Sequence, residues 1–196
     1  MLTISLISFI LAVPLFAHKI TATVFTRIVA IVLFYSAILT WNSLYYLPLS
    51  QGGVGLYSGL FHVSTTTLAF QILVCVVGAI LLAGWGPTTY SLKLGNSKVG
   101  IERSVSINTN FVHVNTINEY SMIVLFSVLG SVLLISSYNF LSMYMGIELQ
   151  SFAAYILCSL YRNSQSATFA GLKYFLLGSL ASGIIVLGTD IIYAGT

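Results

Sequence analysis

Six apolar segments divide the chain, and their length constrains the fold more than any other feature of the sequence. A helix rises about 1.5 Å per residue, so about 20 apolar residues cross a hydrocarbon core about 30 Å thick. Five of the segments are that long, and the first needs only local thinning of the bilayer. Charged residues make up 6% of the 196 residues, whereas a soluble domain contains about 25%. The sequence therefore predicts an all-α membrane protein with six transmembrane helices, at residues 2–17, 28–47, 60–83, 120–138, 140–160 and 167–193.

The basic residues distinguish the two sides of the membrane. They fall in every second connection between the predicted helices, namely Lys19 and Arg27, then Lys93, Lys98 and Arg103, then Arg162. The connections at 51–55 and Asn139 carry no charge. Loops on the matrix or cytoplasmic side are enriched in Lys and Arg, so we expect the basic loops there and the N-terminus on the opposite side. Since the basic residues form no cluster, we expect no nucleic-acid partner.

No sequence pattern indicates a cofactor or metal site. Cys75 and Cys158 each lie within an apolar run, far from any CxxC pair that could hold a metal or an iron–sulfur cluster. Gly52, Gly53 and Gly55 lack the Lys-Ser/Thr pair of a phosphate-binding loop, so they are interpreted as turn residues. We therefore expect this chain to bind no cofactor and no metal.

Two ionisable residues lie inside predicted spans. Glu148 is near the middle of the fifth span, and Lys173 is about 10 Å inside the sixth. A charge at the centre of a spanning helix costs about 2.5–3.5 kcal/mol on insertion scales, and such residues commonly mark ion pathways. Glu148 is either a proton-relay site or a protonated structural residue. Lys173 either extends its amine to the interface or pairs with an acid on another helix, for which Glu148 is the candidate.

Further polar residues accompany Glu148 along the fifth span. They recur at steps of three and four residues, which puts them on one helical face. We expect this face to line a hydrated path and to support proton transfer; its members are Tyr144, Ser151, Tyr155, Ser159 and Arg162. His62 is more simply explained as a structural histidine, while His18, His113, Glu102, Glu119 and Asp190 are expected at solvated ends or loops.

Two motifs connect the chain with a known family. The segment 143–188 contains GIELQS around Glu148 and LKYFLLGSLASG around Lys173. At this separation the pair closely resembles the subunit 2 family of NADH dehydrogenase, the antiporter-like membrane subunits of mitochondrial respiratory complex I. VFTRIVAIVLFYS and VGLYSGLFHV in the first part of the chain resemble the N-terminal part of the fungal form.

The resemblance implies a domain organisation and a cellular setting. Residues 1–83 would form three peripheral N-terminal helices, 84–119 a matrix-side loop, and 120–196 the first three helices of an incomplete five-helix half-channel. Such half-channels occur as inverted repeats. The chain would lie in the mitochondrial inner membrane within a hetero-oligomer, among other membrane-arm subunits and phospholipids. NADH, FMN, iron–sulfur clusters and ubiquinone would bind to other subunits. Either a split gene or a partial chain would explain the missing later helices.

The resemblance also implies a function. Glu148 and Lys173 would exchange protons as quinone reduction elsewhere changes the electrostatic field in the membrane, making the chain part of a proton-translocating enzyme subunit without redox chemistry of its own. A related alternative is a subunit of a multisubunit sodium/proton antiporter. A second alternative is a structural scaffold whose charges only hold helices together.

Overall fold

The computed structural model of the protein describes residues 2–16, 22–46, 53–84, 117–161 and 164–195. These residues form six helices and one two-stranded hairpin, in the order α1 (Leu2–Phe16), α2 (Ala22–Tyr46), β1 (Val54–Leu56), β2 (Phe61–Val63), α3 (Thr65–Gly84), α4 (Ile117–Ser136), α5 (Phe140–Cys158) and α6 (Gln165–Gly195). Helices α2 to α6 are long and apolar enough to cross a membrane. Helix α1 has 15 residues and is about 22 Å long, so it falls short of a full span. The predicted six-helix membrane fold is confirmed.

The core lies where α1, α2, α3 and α4 meet. Val29, Leu33 and Leu125 are fully buried there, and Leu82 is nearly so. Helix α1 joins this core through Phe9, whose ring packs edge-on against Phe25 at 5.4 Å between centroids. Helices in a bilayer associate through close packing, because lipid tails solvate apolar side chains as well as a protein core does. Many Ile, Leu and Phe side chains are exposed on the outside of the bundle, where lipid tails can solvate them.

Two glycines allow α4 and α5 to pack closely. A Cβ atom on Gly130 would lie 2.9 Å from the backbone nitrogen of Gln150, and one on Gly146 would lie 3.0 Å from Cα of Leu134. Small residues at a helix crossing let the two backbones approach, and the gain is van der Waals contact along both helices. This crossing joins α5 to the four-helix core.

The hairpin between α2 and α3 corrects one predicted boundary. The third helix is predicted to begin at residue 60, but Phe61–Val63 is a strand and α3 begins at Thr65. Ser64 starts the helix, because its Oγ accepts from the Thr67 backbone N–H at 3.3 Å while its own N–H donates to Thr67 Oγ1 at 2.8 Å. The hairpin turn includes Tyr57 and Ser58, both at positive φ. An apolar run of this length fits a strand as well as a helix.

The hairpin binds the connection between α4 and α5. The carbonyl of Leu60 accepts from the Tyr138 backbone N–H at 3.1 Å and from Ser142 Oγ at 2.7 Å. The His62 and Tyr138 rings lie 5.3 Å apart. At the end of α6, the Tyr193 hydroxyl donates to Asn139 Oδ1. We call this end of the bundle the hairpin side.

The hairpin side contains both uncharged connections that the sequence analysis assigns to one face of the membrane. Their contact supports the predicted alternation of the helices. Arg27 lies in the first part of α2, away from the hairpin. The other basic loop residues, and nearly all of the predicted 84–119 loop, lie outside the described residues.

Candidate functional site

Helix α5 contacts α4 through one face and α6 through the opposite face. One face meets α4 through Gly146 and includes Ala153, which is fully buried. Position 148 is two residues beyond Gly146, so it is rotated about 160° away from that face. The described residues predicted to share a face with Glu148 lie on this second side, and three of them contact α6; they are Tyr144, Ser151, Tyr155 and Ser159.

Tyr155 and Ser159 form the contact with α6. The Tyr155 ring packs edge-on against Tyr174 at 5.0 Å and Phe175 at 5.7 Å between centroids. Gly178 faces the Tyr155 hydroxyl so closely that a Cβ atom would overlap it, and a Cβ atom on Gly171 would lie 2.7 Å from Cβ of Ser159. The small residues of α6 therefore face the polar side of α5.

Glu148 lies half-buried on this polar side. Its Oε1 atom is inaccessible to solvent and accepts no hydrogen bond from the described residues. The Tyr144 phenol, one turn earlier on α5, interacts with the Glu148 carboxyl and with the Ser182 hydroxyl of α6. Tyr144 thus connects the carboxyl to a second helix, a contact that the sequence analysis did not anticipate.

The serines of the polar face are engaged with their own helix. Ser151 Oγ donates to the Ile147 carbonyl at 2.9 Å, and Ser159 Oγ donates to the Tyr155 carbonyl at 3.2 Å. Each hydroxyl has one proton and has already donated it, so these serines can only accept hydrogen bonds from other groups. Tyr144 and Tyr155 keep phenol groups directed toward α6. Arg162 lies outside the described residues.

Lys173 occupies the opposite side of α6. It is two residues beyond Gly171, which is buried against α5, so it is rotated about 160° from that contact. Its side chain is exposed, among the exposed apolar side chains of Leu172, Leu176 and Leu177. On such a surface the amine must either extend to the interface or meet a polar group outside the described residues.

The expected ion pair between Lys173 and Glu148 is not seen among the described residues, for two geometric reasons. The first is that Lys173 points away from α5. The second is the position of Lys173 along the helix pair. Because Ser159 lies beside Gly171, Lys173 is level with about residue 157 of α5. That position is nine residues, or about 13 Å, from Glu148.

The other residues singled out from the sequence lie in the hairpin and along the helices. His62 packs against Tyr138 within the hairpin connection, as its interpretation as a structural histidine expects. Cys75 is buried and Cys158 is exposed. No group of three His, Cys, Asp or Glu residues able to hold a metal ion occurs among the described residues. Asp190 is exposed near the end of α6, and Glu119 lies in the first turn of α4.

A fungal protein is similar to this chain along its whole length. NADH-ubiquinone oxidoreductase chain 2 of Rhizopus oryzae is 43% identical over 201 aligned residues, covering all of this chain. The chain is a relative of NADH-ubiquinone oxidoreductase chain 2. A family model described as the transmembrane domain of NADH:quinone oxidoreductase and Mrp antiporters also matches residues 137–196. The resemblance stated from the sequence is therefore confirmed.

Bacterial relatives match a shorter part of the chain. NADH-quinone oxidoreductase subunit N of Paramagnetospirillum magneticum is 50% identical over 80 residues, and that of Bartonella bacilliformis is 46% identical over 78. Each match covers 40% of this chain and 16% of the relative. The chain spans 36% of the length of chain 2 from Rhizopus oryzae.

Proposed function

We propose that this chain is part of a proton-translocating membrane-arm subunit of NADH:ubiquinone oxidoreductase in the mitochondrial inner membrane. The observation that supports this function best is the Glu148 carboxyl, whose Oε1 atom is buried at lipid depth without a hydrogen-bond partner among the described residues. Carboxyl groups inside membrane helices commonly belong to ion pathways. The similarity to NADH-ubiquinone oxidoreductase chain 2 gives the enzyme to which this group would belong.

Glu148 is proposed to hold and release the proton. The Tyr144 phenol can donate one hydrogen bond and accept another. Between Glu148 and Ser182, it is suited to orient the carboxyl toward α6.

Lys173 is proposed to carry charge on the outer side of α6. Its exposed side chain would cost about 2.5–3.5 kcal/mol at the centre of a bilayer if nothing polar covered it. We therefore propose that other membrane-arm elements cover this side of α6 in a hetero-oligomer, with phospholipid against the remaining apolar surface. NADH, FMN, the iron–sulfur clusters and ubiquinone would bind to other subunits. The basic loops would face the matrix, and the N-terminus the intermembrane space.

Replacing Glu148 with Gln in the assembled complex tests this function. Glutamine keeps the size and polarity of the side chain but cannot bind and release a proton at neutral pH. We expect quinone reduction to continue while the number of protons moved per electron falls severalfold. The two quantities are measured together in sealed vesicles, as NADH oxidation and as acidification of the lumen. Asp190→Asn is the matched control, because Asp190 is an exposed acid on α6, and it should leave both quantities unchanged.

The same experiment separates the alternatives. If Glu148→Gln assembles and pumps normally, Glu148 has a structural role and the scaffold alternative is favoured. The family model that matches residues 137–196 also includes Mrp antiporters, so a sodium/proton antiporter is the second candidate. Copurification of the native chain with quinone-reducing subunits would exclude the antiporter, and copurification with a sodium-exchanging complex would overturn the proposed function.

A further inference from the structure

A recess of about 320 Å³ lies between the first four helices, away from Glu148. Its walls include the start of α1, the second half of α2, the first half of α3 and the end of α4. These parts of the helices all lie toward the hairpin side. The recess therefore occupies the half of the bundle nearer the hairpin, and α4 separates it from α5.

Three hydroxyl side chains of α2 line one wall of the recess. Ser36, Thr40 and Ser43 follow each other at steps of four and three residues, so they form one polar stripe. Their protons are donated to their own helix: Ser36 Oγ to Leu33 O at 2.7 Å, Thr40 Oγ1 to Ala37 O at 2.8 Å, and Ser43 Oγ to Thr40 O at 2.7 Å. A hydroxyl that donates once still has lone pairs. The stripe therefore offers acceptors to a donor inside the recess.

Gln71 lines the facing wall on α3. Its side chain is only 8% exposed, and it makes no hydrogen bond with any described residue. A carboxamide has two N–H donors and one carbonyl acceptor. The group borders the recess, and a recess filled only by apolar groups would leave it unpaired at a cost of about 1–3 kcal/mol. An apolar lipid chain in the recess could not supply these partners.

We propose that this recess is a water-binding site, filled by a small cluster of water that connects Gln71 to the hydroxyl stripe of α2. A recess in a helix bundle can hold water when it is roomy and offers each molecule two to four polar partners. One water occupies about 30 Å³ of liquid volume, so 320 Å³ is enough for several. Water donates to the hydroxyl oxygens and both donates to and accepts from Gln71. The site would hold water within the half of the bundle nearer the hairpin, independently of Glu148.

Cysteine labelling tests the proposal in membranes containing the assembled complex. Cys158 is first replaced by Ala, and Thr40→Cys is then introduced. Cys75 is kept because it lines the recess, and the parent without Thr40→Cys measures the labelling of Cys75 itself. A charged methanethiosulfonate reagent transfers its alkylthio group to the cysteine sulfur, forming a mixed disulfide and releasing methanesulfinate and a proton. A charged reagent enters water and is excluded from lipid. We expect Thr40→Cys to be labelled at least about tenfold faster than a lipid-facing cysteine at a similar depth. This ratio of rates corresponds to a difference of about 1.4 kcal/mol in the activation free energy of labelling.

Ile38→Cys is the matched control, because Ile38 lies close to Thr40 along α2 and its side chain is exposed on the outside of the bundle. Retained NADH oxidation shows that each variant is assembled. Gln71→Leu should slow the labelling of Thr40→Cys, because it removes the carboxamide that holds the water. If Thr40→Cys is labelled as slowly as Ile38→Cys, whether lipid or another subunit fills the recess, the proposal is overturned. Equal labelling of Thr40→Cys with and without the Gln71→Leu substitution would also contradict it.

Discussion

The bundle of α1 to α4 and the pair α5–α6 achieve their packing in different ways. In the most apolar 18-residue stretch of α2, 39% of the residues are buried, whereas in that of α6 none is. The first region has a core of large side chains such as Leu33 and Leu82. The second is held by a narrow contact in which the small residues Gly171 and Gly178 meet Ser159 and Tyr155. The comparison shows that the first region supplies its own core, while α6 leaves most of its surface, including Lys173, for lipid or for other helices.

The largest expected effect comes from a core leucine of the first region. Leu33→Ala removes a fully buried side chain and should lower the free energy of unfolding by about 2–5 kcal/mol. Leu180→Ala on α6 removes a side chain that is exposed and should change it by less than about 0.5 kcal/mol. Denaturant titration of the solubilised chain in mixed micelles measures both. Equal losses would break the comparison.

A smaller effect is expected at the crossing that joins the two regions. In Gly130→Ala the new methyl group would lie 2.9 Å from backbone of α5, which cannot move as freely as a side chain. We expect a loss of about 1–3 kcal/mol in the free energy of unfolding. Gly183→Ala on α6 is the control, since nothing lies within 4 Å of its added Cβ. A Gly130→Ala protein as stable as the control would show that α4 and α5 do not cross closely.

The smallest effect is expected where the end of α6 meets the hairpin side. Tyr193→Phe keeps the ring that packs edge-on against Phe140 but removes the hydroxyl that donates to Asn139. Hydrogen bonds between membrane helices contribute about 0.6 kcal/mol on average. The same titration should therefore show a loss of that order. A loss as large as that of Leu33→Ala would mean that α6 depends on this contact far more than its exposed surface indicates.

The sequence predicts the helices well because hydropathy and turn residues determine them locally. The start of α5 at Phe140 follows from the break at Asn139 and agrees with the structure. The start of α3 could not be predicted by the same means, since Phe61–Val63 is as apolar as a helix and its partners lie on β1 and in the α4–α5 connection. Tertiary contact, which hydropathy does not report, decides between the two structures.

The candidate site is only partly readable from the sequence. The spacing of Tyr144, Tyr155 and Ser159 indicates a common face, and the structure brings that face to α6. The small residues at Gly171, Gly178 and Ser182 also imply which side of α6 meets its neighbour, and thus that Lys173 lies opposite. Gln71 gave no signal, because a single uncharged amide scarcely changes the hydropathy of the run around it. The level of Lys173 relative to Glu148 depends on how two helices are aligned, which no local pattern contains.

The hairpin imposes an order on biogenesis. The carbonyl of Leu60 accepts hydrogen bonds from the Tyr138 backbone N–H and from Ser142, which lies 82 residues later in the chain. While the ribosome is still making α4, that carbonyl can bond only to water at the membrane surface. The contact between the hairpin and the α4–α5 connection therefore forms only after α4 and the beginning of α5 have entered the bilayer. Until then the hairpin is held only by its own turn and the pairing of β1 with β2.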